Sequence, residues 1–79
     1  MVESIPEITK RYLTERTLEG FAAGLGIKAA KQNVSQWANG DHLPSMMTLL
    51  SVIASPTADG WAKAWAGECS AVLMRQTVQ

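Results

Sequence analysis

The stretch 17-TLEGFAAGLGIKAAKQNVSQWANG-40 decides how this chain folds. Thr17 is a natural helix N-cap, and Glu19 places a carboxylate in the first turn, where the helix dipole favours it. Phe21, Ala22 and Leu25 then share one face, and Gly26 stops the helix, which is expected over about 18–25. Gly20 and Gly24 weaken it on propensity, so packing must hold it, and Ala22 or Gly24 lets another helix approach closely. A second helix is expected over about 30–38, ended by Asn39-Gly40. With Val34 as its inward centre, Ala30, Trp37 and Ala38 fall on the same side at about 100° per residue. Trp37 is therefore a core residue. Gln32 and Gln36 fall opposite, flanked by Lys28, Ala29, Ser35 and Asn39, on an outward face of amides and hydroxyls that carries no carboxylate.

The same three-and-four spacing extends in both directions, and alternation of period two is nearly absent. Upstream, 4-SIPE-7 is a capping-box pattern that starts a helix over about 5–15, with Ile5, Ile8, Tyr12 and Leu13 as its buried stripe. Downstream, 40-GDHLPS-45 is a loop, Ser45 is an N-cap, and a helix is expected over about 46–54. Leu49, Leu50, Val52 and Ile53 make that helix apolar over more than half its circumference, which marks it as the central core helix. After the break 55-SPTADG-60, a last helix is expected over about 58–75, with Trp61, Trp65, Cys69 or Glu68, Val72 and Leu73 along one side. The expected fold class is all-α, a compact five-helix arrangement with a helix-turn-helix at its centre.

The 79 residues are enough for one domain, taken as 1–79, with one modest core. Hydrophobic residues make up 47% and charged residues 18%, a globular composition. Seven Lys+Arg balance seven Asp+Glu, which argues against unspecific binding to long DNA while leaving room for a local basic patch. Lys10, Arg11, Arg16, Lys28 and Lys31 outnumber Glu15, Glu19 and Asp41 in the middle of the chain. Cys69 and His42 are the only residues of their kinds, so neither an internal disulfide nor a metal site is expected, and Cys69 reads as a small buried apolar residue. No Ser/His/Asp or Cys/His set, phosphate-binding glycine motif or working pair of acids is visible, so neither catalysis nor a cofactor is expected. The N-terminus lacks a signal-peptide pattern and no stretch is apolar enough to span a membrane, which gives a cytoplasmic expectation.

From about Leu13 to Ala54 the chain resembles the phage repressor and Cro type of helix-turn-helix domain. The resemblance rests on 17-TLEGFAAGLGI-27, 34-VSQWANG-40 and 43-LPSMMTLLSVIA-54. In family terms Thr17 caps the second helix, Ala22 lets the recognition helix pack closely, Gly26 makes the turn and Ile27 follows it. Val34 and Trp37 anchor the recognition helix, Asn39-Gly40 ends it, and Pro44-Ser45 with Thr48-Leu49-Leu50 opens the fourth. The chain departs from the pattern between Ile27 and Val34, where KAAKQN is longer by two residues. Either the turn is longer or the recognition helix starts earlier. Counting back from Val34 places Lys31 and Gln32 at the leading end; counting forward from Gly26 nominates Lys28 and Ala29.

The resemblance implies a lambda-repressor-like domain that reads double-stranded DNA in the major groove. Glutamine can bond bidentately to adenine, and lysine can reach guanine O6 or N7. Lys31, Gln32 and Gln36 are thus the expected base contacts. Arg16, Thr17, Lys28, Asn33, Ser35, Asn39 and His42 are the expected backbone contacts. Taken alone, a polar face with two glutamines is a solvated surface, and His42 an exposed loop residue; the helix-turn-helix frame is what favours DNA. The expected function is a repressor-like transcriptional regulator, a homodimer on a pseudo-palindromic operator. Trp61, Trp65, Val72 and Leu73 have two readings, a cap on the single core or a dimer interface. The alternative function, favoured by the zero net charge, is a protein-interaction or antitoxin-type partner-binding module on the same fold.

Overall fold

The computed structural model describes residues 3–77, so the two residues at each end of the expected 1–79 domain lie outside it. Five α-helices follow in order: α1 Ile5–Leu13, α2 Leu18–Gly24, α3 Lys31–Asn39, α4 Met46–Ala54 and α5 Gly60–Thr77. No strand occurs among the described residues. None of these helices is long and apolar enough to cross a membrane.

Local chemistry explains most of the boundaries. Ser4 and Glu7 form the capping box, with the Ser4 N–H donating to Glu7 Oε1 at 2.9 Å and the Glu7 N–H donating to Ser4 Oγ at 3.4 Å. Thr17 Oγ1 accepts from the Gly20 N–H, and Ser45 Oγ accepts from the Thr48 N–H. Gly40 has φ +81°, and with Asp41 it returns N–H groups to the Gln36 carbonyl, closing α3 in a left-handed stop. α1 ends at Leu13, two residues before the expected end. Arg16 is responsible in part: its N–H turns back to the Leu13 carbonyl and its guanidinium donates to the Tyr12 carbonyl, capping the last turn.

α5 packs on α1 and α4, while α3 lies against α1 and α2. The core joins Ile5, Ile8, Phe21, Leu25, Val34, Trp37, Leu49, Val52, Trp65 and Cys69 in one cluster. Its centre is aromatic. Trp65 meets Phe21 edge-on at 5.2 Å and stacks on Trp37 at 5.5 Å, and Phe21 meets Trp61 edge-on at 5.0 Å. Cys69 is fully buried; its thiol is pushed up to about 12, chiefly by burial and then by the nearby charge of Glu68.

Two expectations are corrected here. α4 is not the central core helix: only Leu49 and Val52 face inward, while Met47, Leu50 and Ile53 are exposed at 78%, 54% and 38%. An apolar composition shows that a helix has sticky faces but not that the protein covers them all. α5 supplies more of the buried core, with Ala62, Trp65, Ala66 and Cys69 all at 0% exposed. Trp65 and Val72, offered as a dimer interface, are within the chain's own core, at 0% and 7% exposed, so they present no surface to a second chain. Trp61 and Leu73 are half-buried and pack against the same core, the other of the two readings.

Candidate nucleic-acid interface

The candidate site is built from α2, α3 and the turn between them. α3 begins at Lys31, with Ala30 as an extended N-cap (φ −88°, ψ 154°) that offers no side-chain hydrogen bond. Lys28 and Ala29 therefore lie in the turn rather than in the helix. Lys31 and Gln32 occupy the first two helical positions and Gln36 sits one turn further on. Ala30, expected on the inward side, is instead exposed and outside the helix.

The turn is held in place from a distance. Gly26 has φ +69°, a conformation that side chains other than glycine resist. Its carbonyl accepts a hydrogen bond from the buried Ser55 Oγ at 2.7 Å, and the Asp59 N–H donates to the Gly24 carbonyl at 2.9 Å. The α4–α5 loop thus clamps the end of α2. At Gly24 the approach is so close that a Cβ would stand 2.4 Å from Trp61 Cζ2. The close approach expected at Ala22 or Gly24 is therefore made at Gly24, by α5. A role for Ser55 in fixing the turn has no sequence signal, because its partner is far along the chain.

α3 is divided cleanly. Val34, Trp37 and Ala38 are buried, whereas Lys31, Gln32, Asn33, Gln36 and Asn39 are exposed and Ser35 is half-buried. Lys31, Gln32 and Gln36, the expected base contacts, are thus on the surface of α3, together with Asn33 and Asn39. Lys31 Nζ lies 3.2 Å from Glu19 Oε1 on α2, with the two side chains 55% and 77% exposed. Such an exposed pair holds only about 0–1 kcal/mol. A bidentate base contact discriminates by roughly 1–3 kcal/mol, so Lys31 can leave Glu19 for a nucleic acid. Glu19, Lys28 and Lys31, with Ala22, Ala23, Ile27 and Ala29, line an open hollow of about 410 Å³ beside the turn.

Of the seven expected backbone contacts, five are exposed, while Ser35 and Arg16 are half-buried. Thr17, Lys28, Asn33, Asn39 and His42 are exposed. Thr17 uses its oxygen as the cap acceptor and keeps its own proton to donate. Arg16 is placed differently. Its guanidinium lies over the Trp61 ring at 4.0 Å and donates to the Tyr12 carbonyl, so it is half-buried and held against the protein. Its spacing from Tyr12 is helical, but only the fold brings Trp61 beneath it.

Comparison of the chain with models of known protein families, with characterised protein sequences and with solved structures returns no match.

Proposed function

We propose that the chain is a sequence-specific, double-stranded DNA-binding regulator that acts as a repressor does, by occupying an operator, with α2, the turn and α3 as a helix-turn-helix of the repressor and Cro type. The observation that carries this reading is the face of α3. Gln32 and Gln36 stand one turn apart on a helix whose opposite side, Val34 and Trp37, is locked into the core. A rigid helix with a row of amide side chains and no carboxylate suits the donor and acceptor pattern of the major groove. Lys31, Gln32 and Gln36 address base edges, while Thr17, Lys28, Asn33, Ser35, Asn39 and His42 approach phosphates. One module of this size reads few base pairs, so the operator is pseudo-palindromic and occupied by two copies. Replacing Gln32 and Gln36 by alanine tests the assignment: site preference falls while binding to unrelated duplex is kept.

The second reading is a protein-interaction module on the same fold. The zero net charge and the exposed apolar side of α4 favour it. A chain that captures no duplex at low salt, and whose α3 variants leave all binding unchanged, belongs to that class.

A further inference from the structure

We infer that the open hollow beside the α2–α3 turn binds a small amphipathic carboxylate, a molecule with one anionic end and a short alkyl or aryl body. The hollow holds about 410 Å³, within the range of small-molecule sites, which are mostly apolar with a few placed polar groups. Ala22 and Ala23 on α2, with Ile27 and Ala29 in the turn, supply its apolar lining. Glu19, Lys28 and Lys31 supply its charges.

The charges decide the class of ligand. Lys31 Nζ lies 3.2 Å from Glu19 Oε1, so these two answer each other. Lys28 is exposed in the turn and has no ion-pair partner among the described residues. The hollow therefore carries one uncompensated positive charge. An anion placed there meets Lys28 directly and can draw Lys31 from Glu19, a small loss because that pair is exposed. A cation would meet both lysines. Charge alone would suit acetate or inorganic phosphate equally, but either would leave the four apolar residues wet. An alkyl or aryl body on the anion covers them. The hollow is open to solvent, so a ligand this small should bind with a Kd on the order of 1 mM. A neighbouring hollow of about 350 Å³ at Thr17, Leu18, Glu19 and Lys31 offers one apolar side chain and only the paired charges, so it makes no comparable site. Where the DNA reading holds, the acid and the duplex compete for Lys28 and Lys31, and the bound acid weakens the hold on the operator.

The test is an NMR shift titration of the labelled full chain, without DNA, using 3-phenylpropionate as the probe. Its primary amide supplies the same body without the charge, and acetate the charge without the body. The expected result is saturable shifts centred on Ala22, Ala23, Ile27 and Ala29 with 3-phenylpropionate, and binding weaker by roughly fivefold or more with either comparator. Lys28→Met removes the free charge and Ala23→Leu fills the hollow. Both positions are exposed, and each change should weaken the acid by a similar factor while the helical spectrum is kept. No saturable shift up to tens of millimolar, shifts centred elsewhere, or equal binding of the amide or of acetate overturns the proposal, and so does undiminished binding by a folded variant. If a variant fails to fold, the three probes on the wild type still decide. Because no nucleic acid is present, failure here leaves the DNA reading untouched, and failure of that reading leaves this result standing.

Discussion

The indole Nε1 of Trp65 on α5 donates to Thr9 Oγ1 on α1 at 3.0 Å, in the fully buried centre of the molecule. Thr9 in turn donates to the Ile5 carbonyl at 2.9 Å, so one hydroxyl serves a buried donor and a helix carbonyl together. Replacing Thr9 by valine keeps the shape but orphans the indole N–H, at a cost of about 1–3 kcal/mol. In a Trp65→Phe background no donor is left to orphan, and Thr9→Val should cost less than half as much. Urea denaturation of the four-member cycle measures this. Additive losses would show that the hydrogen bond contributes nothing beyond shape.

Two glycines should respond in opposite directions. A Cβ at Gly24 would stand 2.4 Å from Trp61 Cζ2 and 2.9 Å from Asp59 Oδ2, so Gly24→Ala should destabilise by about 1–3 kcal/mol through overpacking. Gly67, inside α5, has nothing within 4 Å of that position, so Gly67→Ala should stabilise by about 0.5–1 kcal/mol through helix propensity. Thermal melting of the two variants gives the signs directly.

The tie between α1 and α5 at Glu68 sets a pH window. Tyr12 donates its hydroxyl to Glu68 Oε2, and the Arg11 guanidinium bridges Glu68 and Glu3. The Tyr12 hydrogen bond, followed by the Arg11 contacts and opposed by burial, holds the Glu68 carboxyl below its usual range. The same hydrogen bond, aided by burial, raises Tyr12 above 10.0. A depressed carboxylate stabilises the fold above its unfolded pKa of about 4.5 and loses that contribution as pH falls through the lower folded value. A raised phenol stabilises below about 10 and loses it as pH rises through the higher folded value. Stability should therefore decline on both sides of a plateau, and Glu68→Gln should flatten both shoulders. Some acid loss should remain, because Glu7 in the capping box is also held low, first by its hydrogen bonds from Ser4.

Cys69 should be chemically silent in the folded chain. It is fully buried and its thiol stays protonated well above neutral pH. Native protein at pH 7 should show negligible reaction with a disulfide reagent such as dithionitrobenzoate, and one equivalent after unfolding in guanidinium. Rapid native reaction would mean that the α5 core opens readily.

The parts legible in the sequence are those with local causes. Ser4, Thr17 and Ser45 cap helices because a hydroxyl reaches an amide three residues on, and Asn39-Gly40 stops α3 because Gly40 adopts a left-handed conformation. Val34 and Trp37 turn inward together because helical spacing requires it, which leaves Gln32 and Gln36 outside. The parts that were not legible depend on distant partners. Arg16 has the composition of a phosphate ligand, but the fold places Trp61 beneath it. Ser55 looks like a loop residue, but it tethers Gly26. The face of α4 was misread because apolar residues show a preference for burial without showing what does the burying.

The central claim is that α3 reads base sequence. Its most direct measurement is selection of binding sites by the full chain from a randomised duplex pool, followed by affinity for the selected site across a salt series. We predict enrichment of a pseudo-palindrome, with affinity falling as salt rises. The slope should be shallow, near −2 to −3 per copy in log–log form, since few cations flank the face and each phosphate contributes about −0.9. Gln32→Ala with Gln36→Ala should abolish the preference and leave the slope nearly unchanged. A pool that yields no enriched sequence even at low salt, or a preference that survives both substitutions, would contradict it.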